Sequence, residues 1–481
     1  MCSRLVQVAS VLLAGVLLPL GACGGGGGRS TPPVDEDGPF APPLGRETRL
    51  DADAPGTALS VFPRIAGDGE VVAVVWYDAR DGNTDIRLNR SKDGGRTWLG
   101  QTRRLDTDPP GSAGSNVPCI ASDGAWIYVA WEDQREGRSE IRFNRSADAG
   151  STWLDHDVRL DVGGAREGSS LELDIACEGP RVWVVWQDDR DGAEDIYLNR
   201  SEDGGTTWLG SARRLDTGDA AGVSASRRPQ VAVEGDDVVV VWQDARGGEE
   251  DVRLNVSHDG GASWEAADLR LDTDGPGAAA STRPRLAMDG SRVAVVWEDV
   301  RDGAPDIRFQ VSSDAGRSWL ENDERIDTDA AGAAASRRPT LVVDGSSVFV
   351  AWQDDRAGLE DIRFNHSEDG GRTWETADRR LDRDPPGTAR SIAPRIAGRG
   401  DALFVTWSDD REGSFRVLVS SSTDGGATFS DPEVGLGTGG GGDALAPDLL
   451  VAGREARVTF YDTRDGPGDV FYQRAGAARA P

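Results

Sequence analysis

The chain has 481 residues, among them 62 glycines and 15 tryptophans, and a formal net charge of −30. That length suits several ordinary domains or one large repetitive one, and a hydrophobic fraction of 37% beside so many glycines suits a Gly-rich all-β chain. The charge excludes nucleic acid and anionic lipid surfaces as partners, because both need a basic field.

Residues 1–22 read as a secretion signal: Arg4 supplies the positive start and residues 6–20 an apolar stretch too short for a comfortable membrane span. The stretch ends in Leu20-Gly21-Ala22-Cys23, which resembles the bacterial lipobox. The resemblance implies cleavage before Cys23 and lipidation of its thiol; the alternative is an ordinary signal followed by a stray Cys. Gly24 follows, where an Asp would imply inner-membrane retention, so the expected location is the outer membrane, on its periplasmic or outer face. Residues 23–45 are Gly/Pro-rich without apolar period and read as a flexible tether. Contact with the membrane is expected through the lipid alone, and the exported domain is expected to be a monomer. Of the remaining cysteines, Cys119 and Cys177 suit an oxidising compartment. The repeat register sets them three residues apart, roughly 10 Å along a strand, more than a disulfide spans; unbridged thiols are expected, a single disulfide being the alternative.

From residue 46 onward one unit is written eight times. Trp76, Trp131, Trp186, Trp242, Trp297, Trp352 and Trp407 each begin a W-x-D-x-R motif at a spacing of 55 or 56 residues, and Tyr461-Asp462-Thr463-Arg464 reads as an eighth copy with Tyr461 in the Trp slot. A second series, Trp98, Trp153, Trp208, Trp264, Trp319, Trp374 and then Phe429, runs in step. Only Trp126 and Trp183 lie outside both series, so the Trp content marks a repeat architecture.

Each unit carries four strand signals. In the fifth, residues 284–287 are strand A, 293–297 strand B, 307–312 strand C and 325–327 strand D, separated by Gly-, Asp- and Pro-rich turns. Four short antiparallel strands repeated around a ring make a β-propeller blade. The eighth unit lacks a D strand, and Thr48-Arg49-Leu50-Asp51 matches the D-strand phrase with no A to C before it. The N-terminal strand is therefore expected to complete the last blade and close the ring. The expected fold is all-β, a single propeller of eight four-stranded blades over residues 46–475, with a disordered tail at 476–481; the alternative is seven blades with the last unit packed differently.

The second Trp series ends the phrase Ser91-Lys92-Asp93-Gly94-Gly95-Arg96-Thr97-Trp98, which recurs at residues 201–208, 257–264 and 367–374, with looser copies at 146–153, 312–319 and 422–429. This phrase resembles the Asp box, or BNR repeat, and over about residues 47–474 the chain resembles the sialidase-like Asp-box propellers. Its physical role is structural: the Asp accepts backbone N–H bonds across the C-to-D turn, Gly takes angles other residues resist, and the aromatic ring is expected to pack under the hairpin.

C-to-D turns lie on one propeller face; the W-x-D-x-R and D-to-A loops lie on the other. The repeated arginines, Arg80 to Arg464, have acidic neighbours, for all but Arg411 one five residues on, such as Asp85, with D-strand acids such as Asp106 and Asp108 besides, so a ladder of Arg–carboxylate pairs is expected. Asp327-x-Asp329-x-x-Gly332 could instead help ligate Ca²⁺ through oxygens, although two carboxylates per loop are few; no other cofactor or metal is implied. Ligand specificity should show where repeats differ. The most variable position follows the strand-A proline: Arg64, Cys119, Asp174, Gln230, Arg285, Thr340, Arg395, Asp448. Arg228, Arg283, Arg338 and Arg390 lie just upstream, an arc of arginines near the channel mouth. With Arg64, Arg80, Arg285 and Arg395 they are the candidate ligand residues, for a small anionic group such as a sugar carboxylate, sulfate or phosphate. The alternative is that they neutralise neighbouring aspartates.

The sialidase resemblance implies more. That family grips a sialic-acid carboxylate with an arginine triad. Phe62-Pro63-Arg64-Ile65 is similar to its first-blade motif with the proline displaced, and Arg285 and Arg395 match a triad by position only. Asp78-Ala79-Arg80 followed by Asp85 is similar to its acid segment, and Tyr461 or Tyr77 would be the nucleophile. However, the Arg–Asp spacing recurs in most blades, and eight blades replace the family's usual six. Two readings follow: a lipid-anchored propeller that binds a glycan, an anionic ligand or a protein partner at its loop-rich mouth, or a sialidase-like exo-glycosidase acting on sialylated or other acidic glycans.

Overall fold

A computed structural model describes residues 44–163, 168–437 and 441–477. The signal, most of the tether with Cys23, and residues 478–481 lie outside the described residues. The rest forms eight four-stranded antiparallel sheets in a ring. Blade 5 runs Ser281–Asp289 (A), Arg292–Asp299 (B), Asp306–Ser312 (C) and Glu324–Arg325 (D). The other A strands are Ser60–Gly67, Ser115–Asp123, Ser170–Glu178 and Ser226–Glu234 in blades 1 to 4. Ser336–Asp344, Ser391–Arg399 and Ala444–Ala452 follow in blades 6 to 8. Strand A is longer and strand D shorter than the sequence signals suggest, because D pairs through only two residues before the chain turns to the next blade.

Ring closure is as expected: Thr48–Arg49 pairs with Asp469–Gly476 as the fourth strand of blade 8. The closure is longer than the sequence indicates. Leu44 bridges Ala475, Gly45 N–H donates to the Arg474 carbonyl, and Gly476 pairs with Glu455 instead of starting a tail.

The core lies between blades. Strand B is buried along its length, with Trp76, Trp131, Trp186, Trp242, Trp297, Trp352 and Trp407 fully buried. The eighth copy differs from the sequence reading. Phe460, not Tyr461, pairs across to strand C where the other blades carry Trp, while Asp462 and Asp469 keep the register of Asp78 and Asp85. Tyr461 is thereby moved one position, onto the channel-mouth side of the strand.

The second aromatic series also packs differently from expectation. Trp98, Trp208, Trp374 and Phe429 meet, edge to face, Tyr472, Phe143, Phe309 and Phe364 of the preceding blade, with centroids 4.7–4.9 Å apart. These rings join blades instead of merely propping their own hairpins. Within the turn, Ser91 Oγ and Thr97 Oγ1 donate to the Asp93 carboxylate (2.7 and 2.6 Å), which also accepts the N–H groups of Arg96 and Thr97 (2.9 and 2.8 Å). These bonds hold Asp93 far below the ordinary carboxylate range, the Thr97 hydroxyl contributing most. Gly95 has φ +83°, and a Cβ there would lie 2.0 Å from the Tyr472 hydroxyl, so the turn can approach the preceding blade only as glycine.

A chain lacking residues up to 57 would expose the hydrogen-bonding edge of Asp469–Gly476. Light scattering and thermal unfolding should show self-association and a lower unfolding midpoint; an unchanged monomer with the full-length midpoint would contradict closure by this strand.

Candidate functional site

Each W-x-D-x-R motif is built around its Asp. Asp78 is fully buried and accepts from Ser60 Oγ (2.6 Å), Trp76 Nε1 (3.4 Å), the Arg80 N–H (3.1 Å) and both Arg80 Nε and Nη2 (2.6 Å each). The Arg80 and Ser60 bonds outweigh burial and hold this carboxyl below its ordinary range. The same fork joins Arg135, Arg190, Arg246, Arg301, Arg356 and Arg411 to the Asp two residues before. The expected ladder of pairs therefore exists, but its partner is not the acid five residues on. Arg80 is thus a framework residue.

Asp85 is also a framework residue. It is fully buried, accepts the Gly111 N–H (3.0 Å) and faces Arg104 Nη1 at 3.2 Å. Its counterparts meet the D-strand arginine in the same way, as in Asp251–Arg270, Asp306–Arg325 and Asp361–Arg380 at 3.3–3.4 Å. The calcium reading meets the same arginines. Asp306, Asp327 and Asp329 gather as a metal site would, yet Arg325 Nη1 lies 3.3–3.5 Å from all three. Asp251, Asp272 and Asp274 surround Arg270 Nη1 likewise. A guanidinium nitrogen stands where the cation would sit.

The channel mouth is where repeats diverge. Strand A carries one irregularity in every blade, just before its proline position: Thr282 pairs with Glu298 and Arg285 with Val296, leaving one extra residue on strand A. The bulged residue has φ near +50° although it is never glycine: Phe62, Val117, Glu172, Arg228, Arg283, Arg338, Ala393, Ala446. Such a bulge re-aims a side chain, and an eightfold departure into left-handed backbone is a built feature. It places three rings of residues at the mouth: the bulged residue, the x of W-x-D-x-R, and the residue after the proline.

That last ring brings the candidate arginines together. Arg64, Arg285 and Arg395 stand on blades 1, 5 and 7, close enough to act on one another's charge. Arg395 is pushed down to about 9, by burial first and then by Arg64, with Asp448 opposing. Arg285 is pushed down by burial and by Arg64, with Asp174 opposing. Arg395 lies 3.8 Å from Asp448 and keeps 31% of its side chain exposed. Among the described residues, Arg64 and Arg285 make no side-chain hydrogen bond and no ion pair within 4 Å. The carboxylates nearby are already used: Asp174 accepts the Val231 N–H (3.0 Å) and Asp448 the Ile65 N–H (3.1 Å).

The upstream arc is mixed. Arg283 is held by Glu298 at 3.0 Å, and the neighbouring Arg227 and Arg337 face Glu194 and Asp355. Arg228 and Arg338 stand on the blades either side of Arg283, and Arg338 is pushed down by burial first and then by Arg283 and Arg228, with Glu298 and Glu360 opposing. Arg390 sits in the D-to-A loop of blade 7, where its backbone exchanges bonds with Asp410.

Three mouth residues escaped the sequence reading: Glu132, Glu298 and Phe62. Glu132 is buried, and burial pushes it up to about 8, against one bond from the Glu172 N–H (2.8 Å). Glu298 shares its slot but has Arg283 beside it. The signal was present in the variation of the x position: Tyr77, Glu132, Gln187, Gln243, Glu298, Gln353, Ser408 and Tyr461. Tyr77 and Tyr461 are both pushed up by burial, Tyr461 to about 12, so both phenols stay protonated. Cys119 and Cys177 are unbridged; Cys119 donates to the Leu173 carbonyl (3.3 Å), and burial raises its thiol to about 12.

No protein family and no curated protein matches this chain. Among solved structures, it is similar to polysaccharide lyase Uly1, with a TM-score of 0.52 at 8% identity over 90% of this chain and 99% of that one. The BP39L lectin from Burkholderia pseudomallei gives 0.46 at 12% over 78% and 99%, and the phage phi92 endosialidase 0.41 at 12% over 92% and 70%. The likeness to Uly1 is one of fold.

The D-strand aspartates set the response to pH. Burial drives Asp106, Asp216, Asp272, Asp327 and Asp382 above the ordinary carboxylate range; adjacent Asp85, Asp195, Asp251, Asp306 and Asp361 add to it and the D-strand arginines oppose. Their raised values mean the folded chain holds protons that the unfolded chain releases. Their stabilisation is complete in acid and is lost as pH rises through the raised values. Asp78 and its counterparts, depressed, work oppositely and fail only in stronger acid. The unfolding midpoint should therefore fall as pH rises from about 4 to about 8 and level off above that; a flat or rising midpoint over that range would contradict this.

Proposed function

We propose that this chain is an exported, lipid-anchored propeller that binds an acidic glycan at its channel mouth. The carrying observation is the group Arg64, Arg285 and Arg395, in which the charge of Arg64 bears on both other guanidiniums and of which Arg64 and Arg285 have no ion-pair partner within 4 Å among the described residues. Confining like charges in one channel is costly unless an anion joins them, and guanidinium meets carboxylate or sulfate in a fork. The surrounding protein is strongly acidic, so this cationic site gives local selection where long-range attraction is absent. Export and anchoring rest on the segment ending at Cys23. The likeness in fold to a polysaccharide lyase accords with a carbohydrate ligand.

The hydrolase reading keeps one supporting observation, Glu132, a buried carboxyl protonated near neutral pH beside the mouth. A retaining hydrolase also needs a nucleophile across the sugar. Tyr77 and Tyr461 remain protonated, and among the described residues neither phenol has a carboxylate within hydrogen-bond distance; Asp85 is committed to Gly111 and Arg104. Binding without turnover is the function these residues support.

Calorimetric titration with methyl β-D-glucuronide, methyl β-D-galacturonide and methyl α-sialoside should show saturable binding by at least one. Arg285→Ala or Arg64→Ala should weaken it about tenfold or more, the scale of a hydrogen bond to a charged group. Binding unchanged in both variants would overturn the site. Turnover of the corresponding fluorogenic glycosides, abolished in Glu132→Gln, would replace the binding reading with hydrolysis.

A further inference from the structure

Seven of the eight blades contribute a side chain to the x position that can hydrogen-bond through an amide, carboxyl or phenol, and blade 7 contributes Ser408, but the ring uses them unevenly. At five successive seams the x residue of one blade accepts the backbone N–H of the bulged residue in the next. Glu132 takes Glu172 (2.8 Å), Gln187 takes Arg228 (3.1 Å), Gln243 takes Arg283 (3.0 Å), Glu298 takes Arg338 (2.8 Å) and Gln353 takes Ala393 (3.1 Å). Among the described residues this latch is missing at three adjacent seams, where the x residues are Ser408, Tyr461 and Tyr77.

A repeat that gives up one structural bond on one arc of the ring calls for a compensating use there. On that arc the bulged residues are Ala446, Phe62 and Val117, and Ala393 adjoins them. Phe62 lies between two phenols: its centroid is 5.7 Å from Tyr77, nearly parallel, and 5.6 Å from Tyr461. Phe62 and Tyr77 are only half-buried. Ala393, Ala446 and Ser408 are small, where most other blades carry Arg, Gln or Glu at the same positions. Phe62 also stands two residues from Arg64, so the aromatic row rises from the edge of the guanidinium group.

From this juxtaposition we infer that Phe62, Tyr77 and Tyr461 form the ring-binding subsite of the mouth, taking the apolar face of a pyranose whose carboxylate lies on Arg64, Arg285 and Arg395. The inference rests on the anion-binding reading above and narrows it. The ligand is an acidic pyranoside, and not a bare anion such as sulfate, phosphate or a short carboxylic acid. Aromatic side chains present a large rigid apolar surface, and a pyranose offers axial C–H groups on one face. A bare anion would satisfy the arginines and leave the aromatic row unused. Phe62 and Tyr77 determine specificity by contact with the sugar ring, and the buried Tyr461 backs Phe62; none of the three does chemistry on it.

The repeat itself supplies the test substitutions. Ala occupies the left-handed position of Phe62 in blades 7 and 8 (φ +55° and +50°), so Phe62→Ala leaves the bulge as the fold already builds it. Gln occupies the Tyr77 position in blades 3, 4 and 6, so Tyr77→Gln installs the common latch to Val117 N–H. Each variant, in the full chain, is titrated with the three methyl pyranosides named above and, separately, with sodium sulfate and sodium acetate, alongside its thermal midpoint. The expected result is that Phe62→Ala and Tyr77→Gln weaken pyranoside binding about fivefold or more. Weak binding of sulfate or acetate should stay as in the wild type, and Tyr77→Gln should keep or raise the midpoint. Pyranoside binding equal to wild type in both folded variants would overturn the aromatic subsite while leaving the arginine site standing. Binding of sulfate or acetate with no pyranoside bound would also overturn it. Absence of binding by every probe would instead remove the anion-binding reading on which it rests.

Discussion

The buried Asp of the W-x-D-x-R motif is the contact on which the rest of the molecule depends. Asp78 ties strand A through Ser60, strand B through Trp76, and the B-to-C loop through Arg80. An ionised carboxylate is expensive to bury unless every oxygen is engaged; here donors from three segments engage it, and the net effect is a depressed pKa despite burial. The serine it holds begins strand A, two residues before the bulge at Phe62. The direction in which a blade presents its mouth residues is therefore fixed from beneath by an unvarying carboxylate. Variation above it costs the fold little, which is how eight near-identical blades can carry an asymmetric mouth.

That asymmetry divides the ring. Blades 4 to 6 bear arginines partly matched by acids, blades 2 and 3 bear Glu132, Glu172 and Asp174, and blades 8 and 1 bear the aromatic row. In the channel, Arg64 and Arg285 act on one another from blades 1 and 5. A site of this kind could not arise from the repeat alone, because an eightfold motif cannot concentrate three cations against two committed carboxylates. The mouth is also where the chain departs from its own rules, in left-handed non-glycine backbone and in seams without the amide latch.

Much of the fold was legible in the sequence. Period, blade count, strand order and closure follow from the spacing of the aromatic and Asp-Arg phrases, because each blade repeats the same local chemistry. Features that depend on which blade faces which were not legible. The partner of Arg80 is Asp78 and not Asp85, since the strand-C acid lies nearer the D-strand Arg104. Trp98 meets Tyr472, 374 positions away in sequence and adjacent only after closure. The eighth repeat is two residues shorter ahead of its motif, which disguised Phe460 as an ordinary strand residue and moved Tyr461 to the mouth. The arginine group was legible from the variable position after the strand-A proline. The aromatic row was not, because Phe62, Tyr77 and Tyr461 are drawn together by the bulge and by closure of the ring.

A crystal structure of the propeller with methyl β-D-glucuronide, methyl β-D-galacturonide or methyl α-sialoside bound tests the central claim most directly. The sugar carboxylate should lie in hydrogen-bond contact with Arg64 and Arg285, with the pyranose face against Phe62. A saccharide seated on the face that carries the Asp93-type turns, or held at the mouth without either arginine, would contradict it.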